Sequence, residues 1–135
     1  MQTLDERAAE VSAKLAQLRL RMAARAIEAL EIRQTANLAW LTAGVATYIN
    51  IASETSPVRA LITPERAYLL TDSIEAPRLA QEAQVEALGF ALAAETWHTR
   101  GDLVQRLAGG LRLGQDGEGG GANLAAELQQ LRSTL

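Results

Sequence analysis

The sequence predicts an α/β layer fold: a mixed sheet flanked by helices. Three observations carry this. An amphipathic helical stripe opens the chain, a β-hairpin pattern occupies its middle, and the later strand patterns are separated by helical ones. A hairpin makes antiparallel pairs, whereas strands separated by helices make parallel ones, so the two together call for a mixed sheet. The chain has 135 residues, which suits one domain with its own core.

The first element follows from periodicity. Leu4, Ala8, Val11, Leu15, Leu18 and Met22 recur at spacings of four and three, which marks one face of a helix over residues 4–26. Asp5, Glu6, Arg7, Glu10, Lys14, Arg21 and Arg25 fall on the other faces, with Asp5, Glu6 and Glu10 on a solvated one. The stripe would also suit a coiled-coil seam, but its heptads run out too soon, and a helix lying on a sheet is the simpler reading.

Residues 29–33 alternate apolar and polar, with Leu30 and Ile32 on one face of a short strand. Residues 37–42 read as a helical turn with Asn37 as its N-cap. Gly44 is a suitable stop because it tolerates positive φ. Residues 48–51 are β-prone and residues 53–57 read as loop. Residues 58–63 and 66–71 form the hairpin, joined by Pro64 and Glu65, with Pro presetting φ for the turn.

Pro77 belongs in a helix's first turn, so a helix begins near Glu75 or Ala76 and runs to about Glu86. Residues 87–93 are a further strand. Thr99 and Asp102 have capping-box spacing ahead of Leu103, Val104 and Leu107. Gly109 and Gly110 close that helix, and residues 111–113 would be a last edge strand. Residues 115–121 contain four glycines and read as a flexible connector. Leu124, Leu128, Leu131 and Leu135 then form a final amphipathic stripe. The organisation expected is a domain over 1–114, a connector over 115–121 and a helix over 122–135.

Composition narrows the chemistry. Net charge is −3 with no basic block, which disfavours nucleic acid, since phosphate neutralisation needs clustered Lys and Arg. No apolar run is long enough to span a bilayer, and the N-terminus lacks a signal-peptide core. Cysteine is absent, which removes disulfide and thiolate chemistry. A cytoplasmic location is the natural reading.

Catalytic constellations are missing. There is a single histidine, His98, and no HExxH or paired-histidine spacing. Asp72 and Glu75 sit where a helix cap belongs. No GxSxG occurs, and the single histidine would have to serve as any base. Gly119, Gly120 and Gly121 are not followed by the Lys-Ser/Thr of a phosphate loop. His98 reads as a surface loop residue, and Trp40 and Trp97 read as packing anchors between helix and sheet. No catalytic residue and no metal ligand is assigned.

One stretch carries more. Asn37-Leu38-Ala39-Trp40-Leu41-Thr42-x-Gly44, Val58-Arg59-Ala60-Leu61-Ile62-Thr63, Tyr68-Leu69-Leu70-Thr71 and Ile74-Glu75-Ala76-Pro77-Arg78-Leu79 resemble the N-terminal domain of the creatinase / Xaa-Pro peptidase family, the pita-bread metallopeptidases that include prolidase and aminopeptidase P. The resemblance runs from about Ala26 to the chain's end. It implies a mixed sheet similar to the ribonuclease H arrangement. It also implies that this is the non-catalytic half of a hydrolase acting beside proline. Two divalent metal ions (Mn, Co or Zn) would lie in a catalytic domain outside the chain, and this half would serve dimer geometry and access to the active site. The implied partners are the protein's own catalytic domain, a second subunit and a proline-containing peptide.

The loop over residues 45–57 is the candidate functional segment. In relatives the equivalent loop of one subunit borders its partner's active site. Here it carries Tyr48, Asn50, Ser53 and Glu54, groups suited to contacting a peptide's ends. Asn50 and Ala52 stand near positions where creatinase-type enzymes use an aromatic and an arginine, which speaks against creatine as substrate. The same residues would suit an ordinary surface loop. A stand-alone non-catalytic binding module of this fold, as in a eukaryotic histone-chaperone subunit, is the alternative function. An unrelated small α/β regulatory domain is a third.

Overall fold

A computed structural model describes residues 3–43, 55–72, 85–95 and 102–134. In chain order the elements are α1 (Leu4–Ala24), β1 (Ala29–Gln34), α2 (Thr35–Leu41), β2 (Thr55–Ile62), β3 (Ala67–Asp72), β4 (Ala91–Glu95), α3 (Asp102–Ala108), β5 (Leu113–Gln115), β6 (Ala122–Asn123) and α4 (Ala125–Thr134). The strands form one sheet in the order β4-β3-β2-β1-β5-β6. β1, β2 and β3 pair antiparallel, while β3–β4, β1–β5 and β5–β6 are parallel. The mixed sheet flanked by helices is therefore present.

Helix α1 begins where Thr3 Oγ1 accepts the Glu6 N–H at 3.1 Å, with Asp5 and Glu6 in its first turn. Both devices neutralise donors that a helix start leaves unpaired. Its end falls at Ala24, two residues before the expected limit. Ala26 takes φ 56°, with its N–H donating to Ala23 C=O and that of Ile27 to Met22 C=O. That pair of bonds is a Schellman closure, built here on alanine instead of glycine. Val11, Leu15, Leu18 and Met22 are buried as the stripe predicts, whereas Leu4 is exposed.

Each inner strand alternates its side chains between two cores, as a period of two requires. Leu30, Ile32, Val58, Ala60, Ile62, Ala67 and Leu69 join the larger core beneath α1, α2 and α4. Ala29, Leu61 and Leu70 face the opposite way and meet Leu103 and Ala108 of α3. The hairpin is present, with Ile62 opposite Ala67 and Arg59 opposite Leu70, but β2 begins at Thr55, inside the stretch expected as loop over residues 53–57. Its turn is closed by the Thr63 N–H on Arg66 C=O at 2.9 Å.

Several expectations change. Residues 85–89 form turns, and the strand expected at 87–93 is β4 at Ala91–Glu95. Phe90 is the buried residue that seats its start. The strand expected at 111–113 as an edge is β5, which lies between β1 and β6. The segment expected as a flexible connector is tethered. Gln115 and Asp116 are buried, and Gln115 Oε1 accepts the Gly121 N–H at 2.9 Å. Polar anchors do there what apolar ones do elsewhere. Finally, Lys14 lies in the protein and not in solvent, at 7% exposure.

Helix α4 belongs to the main core. Leu124, Leu128 and Leu131 are buried against it. Arg21 Nη1 donates to Gln130 Oε1 at 2.9 Å, and Arg25 pairs with Glu127, so α1 and α4 are stitched along their exposed margin. The expected helix start over residues 74–79, Gly44, and Trp97, His98 and Thr99 all lie outside the described residues.

Candidate functional site

The candidate loop leaves the end of α2 and returns at β2. Tyr48, Asn50, Ser53 and Glu54 lie outside the described residues; what is described is the frame on either side of them. The centre of this frame is Asp116, 1% exposed. Its carboxylate accepts the Arg33 N–H at 3.1 Å on either oxygen, the Gln34 N–H at 2.8 Å and Asn37 Nδ2 at 2.9 Å. Hydrogen bonds to an ionised carboxylate are among the stronger ones in a fold. Their donors sit at the β1–α2 junction, which fixes where α2 begins and which way it points.

This arrangement corrects the role given to Asn37. The helix starts at Thr35, and Gln34 occupies the N-cap with no side-chain cap bond. Asn37 is inside the first turn, buried, and spends its amide on Asp116. A carboxylate from the residue that follows β5 thus serves the start of α2, where the helix dipole favours negative charge. Arg33 reinforces it by donating from Nη2 to Glu118 C=O at 2.9 Å.

At the other end of α2, Trp40 is half-buried and packs on the core from its margin. It was expected as a plug between helix and sheet; instead it is a shoulder covered by Lys14. The ammonium lies 5.1 Å from the ring centroid, within cation–π range. It donates to Trp40 C=O at 2.5 Å and to Glu10 Oε2 at 2.7 Å. Burial of a lysine requires such partners, because an unpaired buried cation is costly. The indole N–H of Trp40 has no acceptor among the described residues.

On the opposite face of the sheet, Glu31 and Arg59 form an ion pair at 2.9 Å between adjacent strands. Arg19 holds the hairpin turn: Nε donates to Thr63 C=O at 2.9 Å and Nη2 to Arg66 C=O at 3.0 Å. Burial lowers the Arg19 guanidinium's pKa below the usual arginine range. Among the described residues no group of three or more His, Cys, Asp or Glu side chains could hold a metal ion. No described helix is long and apolar enough to cross a membrane.

Sequence reasoning missed Asp116, Lys14 and Arg19 as framing residues. A signal existed for one of them: Glu10 and Lys14 are spaced i,i+4, the spacing of a helical ion pair. Asp116 stands among glycines and looks like a turn residue. Nothing local reports a contact some eighty residues away.

Fold and frame define a small mixed-sheet α/β domain in which the start of α2 is braced by Asp116 and its end by Lys14. Its described residues form no metal cluster. Residues 14–133 match the family of the Creatinase/Prolidase N-terminal domain, and the chain belongs to that family. Solved structures agree on the fold. An Xaa-Pro aminopeptidase from Streptococcus pyogenes is 24% identical, with TM-score 0.59 over 93% of this chain and 84% of that one. The N-terminal domain of an Xaa-Pro dipeptidase from Lactobacillus brevis is 8% identical, with TM-score 0.61 over 87% of this chain and 98% of that one. An Xaa-Pro dipeptidase from Bacillus anthracis is 15% identical, with TM-score 0.57; the match covers 92% of this chain but 31% of that one. No curated protein matches the chain.

Proposed function

We propose that this chain is the N-terminal domain of an Xaa-Pro dipeptidase- or aminopeptidase-like metallopeptidase. Catalysis would lie in a further domain outside these 135 residues. The observation that carries the reading is the family match over residues 14–133. The whole-length dipeptidase, of which the chain matches 31%, supports it. The remaining length of such a protein is where the chemistry would sit. The pair of divalent ions (Mn, Co or Zn) implied by the family does not fit the described residues, which offer no ligand cluster, and no step is assigned to them.

The domain's own role is dimer geometry and control of access to the site, in a cytoplasmic homodimer. The loop bearing Tyr48, Asn50, Ser53 and Glu54 faces the substrate of the partner subunit. Glu54 meets a peptide's amino terminus and Tyr48 packs on the proline ring. The Asp116 clasp and the Lys14–Trp40 shoulder support this reading, because they brace the helix from which the loop departs.

Two measurements test it. The 135-residue chain, incubated with Mn²⁺ or Co²⁺ and an Xaa-Pro dipeptide, is expected to be inert. Turnover above contaminant level in independent preparations overturns the assignment of catalysis elsewhere. In the full-length protein, the Tyr48→Ala, Glu54→Ala double variant is expected to raise KM and leave kcat unchanged, as loss of uniform binding does. Unchanged kcat/KM in a folded dimer removes the loop from substrate recognition.

A further inference from the structure

Between α1 and the β2–β3 turn lies a cavity of about 330 Å³, within the lower range of small-molecule sites. Leu15, Ala67 and Leu88 line it and are buried, which makes the floor apolar. Arg19, Arg66 and Glu65 line it as the charged groups. Gly89, at φ 105°, leaves open space where a side chain would stand. No ion pair links Glu65, Arg19 or Arg66 to one another or to any other described residue.

Arg19 is the informative residue. A guanidinium is a planar fork of five N–H donors. Nε and Nη2 spend its side edge on the carbonyls of Thr63 and Arg66. That fixes the plane and leaves the end edge, between Nη1 and Nη2, with no described protein acceptor. The end edge matches the two oxygens of a carboxylate. The group is already partly stripped of water, which is why burial lowers its pKa, and a dehydrated, pre-oriented cation loses little further freedom on binding.

We propose that this cavity is a binding site for a small monocarboxylate with a short aliphatic body. The carboxylate would be gripped by the end edge of Arg19 and the body laid on Leu15, Ala67 and Leu88. Arg66 adds attraction from the turn and Glu65 subtracts from it, so the charged rim favours one negative charge over two. The apolar floor favours an aliphatic acid over a bare inorganic anion. The site is independent of the peptidase reading and stands or falls apart from it.

The test is a titration of the ¹⁵N-labelled 135-residue chain with isovalerate, followed on backbone amides and on the Arg19 Nε–H. Saturating shifts are expected at Gly89, Ala67 and Arg19. Isovaleramide, of the same shape without the charge, should bind at least tenfold more weakly, and inorganic phosphate should not saturate. Glu65→Gln should tighten isovalerate threefold or more. Arg19→Lys keeps the charge but loses the fork, and should weaken isovalerate at least fivefold. Should that variant also shift the Thr63 and Arg66 amides of the free protein, Glu65→Gln and the amide comparison decide alone. Equal binding of acid and amide, equal or tighter binding of phosphate, or an affinity unmoved by Glu65→Gln would each overturn the proposal.

Discussion

Asp116→Ala should be the most damaging single change to the frame of the candidate site. The wild-type carboxylate accepts from the Arg33 and Gln34 amides and from the Asn37 side chain. Alanine leaves these donors without an acceptor. An unsatisfied buried donor costs about 1–3 kcal/mol, so the three together set a ceiling of roughly 3–9 kcal/mol. Gln34 is exposed and Arg33 half-exposed, so water can reach the junction and the cost falls to about 3–5 kcal/mol. At roughly 3–5 °C per kcal/mol for a domain of this size, Tm should drop by about 9–25 °C. Urea denaturation gives the midpoint, and an unchanged slope shows that the unfolded surface is the same. Hydrogen exchange adds a local readout: the Arg33 and Gln34 amides should lose protection before the β2–β3 ladder does. Asn37→Ala removes a single donor and should cost less. The Asp116/Asn37 double-mutant cycle should return a coupling of about 1.5–3 kcal/mol, the range for a hydrogen bond to a charged group. A midpoint change below about 1 kcal/mol for Asp116→Ala, with Arg33 and Gln34 still protected, refutes the clasp.

Two further changes test the packing. A Cβ at Gly121 would fall on the Leu113 carbonyl, whereas one at Gly120 meets nothing. Gly121→Ala should therefore cost about 2–4 kcal/mol by forcing β5 and β6 apart. Gly120→Ala should stay within about 1 kcal/mol of wild type, as thermal melts of the pair would show. Trp40 is half-buried, with an indole N–H that finds no acceptor among the described residues. Trp40→Ala should cost about 1.5–3 kcal/mol, below the ~3–5 kcal/mol of a fully enclosed aromatic, while Trp40→Phe should lie within about 1 kcal/mol of wild type because the orphan donor goes with it. A larger loss for Phe than for Ala in denaturant midpoints would contradict this account.

Much of this protein was legible from residue order alone. Local periodicity determined α1, the β2–β3 hairpin and the leucine stripe of α4, because the apolar face of each element repeats within a few residues. The pairing of a hairpin with helix-separated strands determined the mixed sheet, and the motif from Asn37 to Leu79 pointed to the family that residues 14–133 match. The tertiary structure decided what no local pattern encodes. It placed β5 inside the sheet next to β1, although a three-residue strand has too little pattern to declare its neighbours. It took Lys14 out of solvent by supplying Glu10 and the Trp40 carbonyl, and it gave a glycine-rich segment two buried polar anchors in Gln115 and Asp116. It also made Asn37 a donor to a distant carboxylate and left the N-cap to Gln34. The physical reason is common to all of these. Polar burial is tolerated only where partners converge, and apart from the nearby Glu10 and Gly121 these partners come from segments remote in sequence that meet only when the sheet has formed.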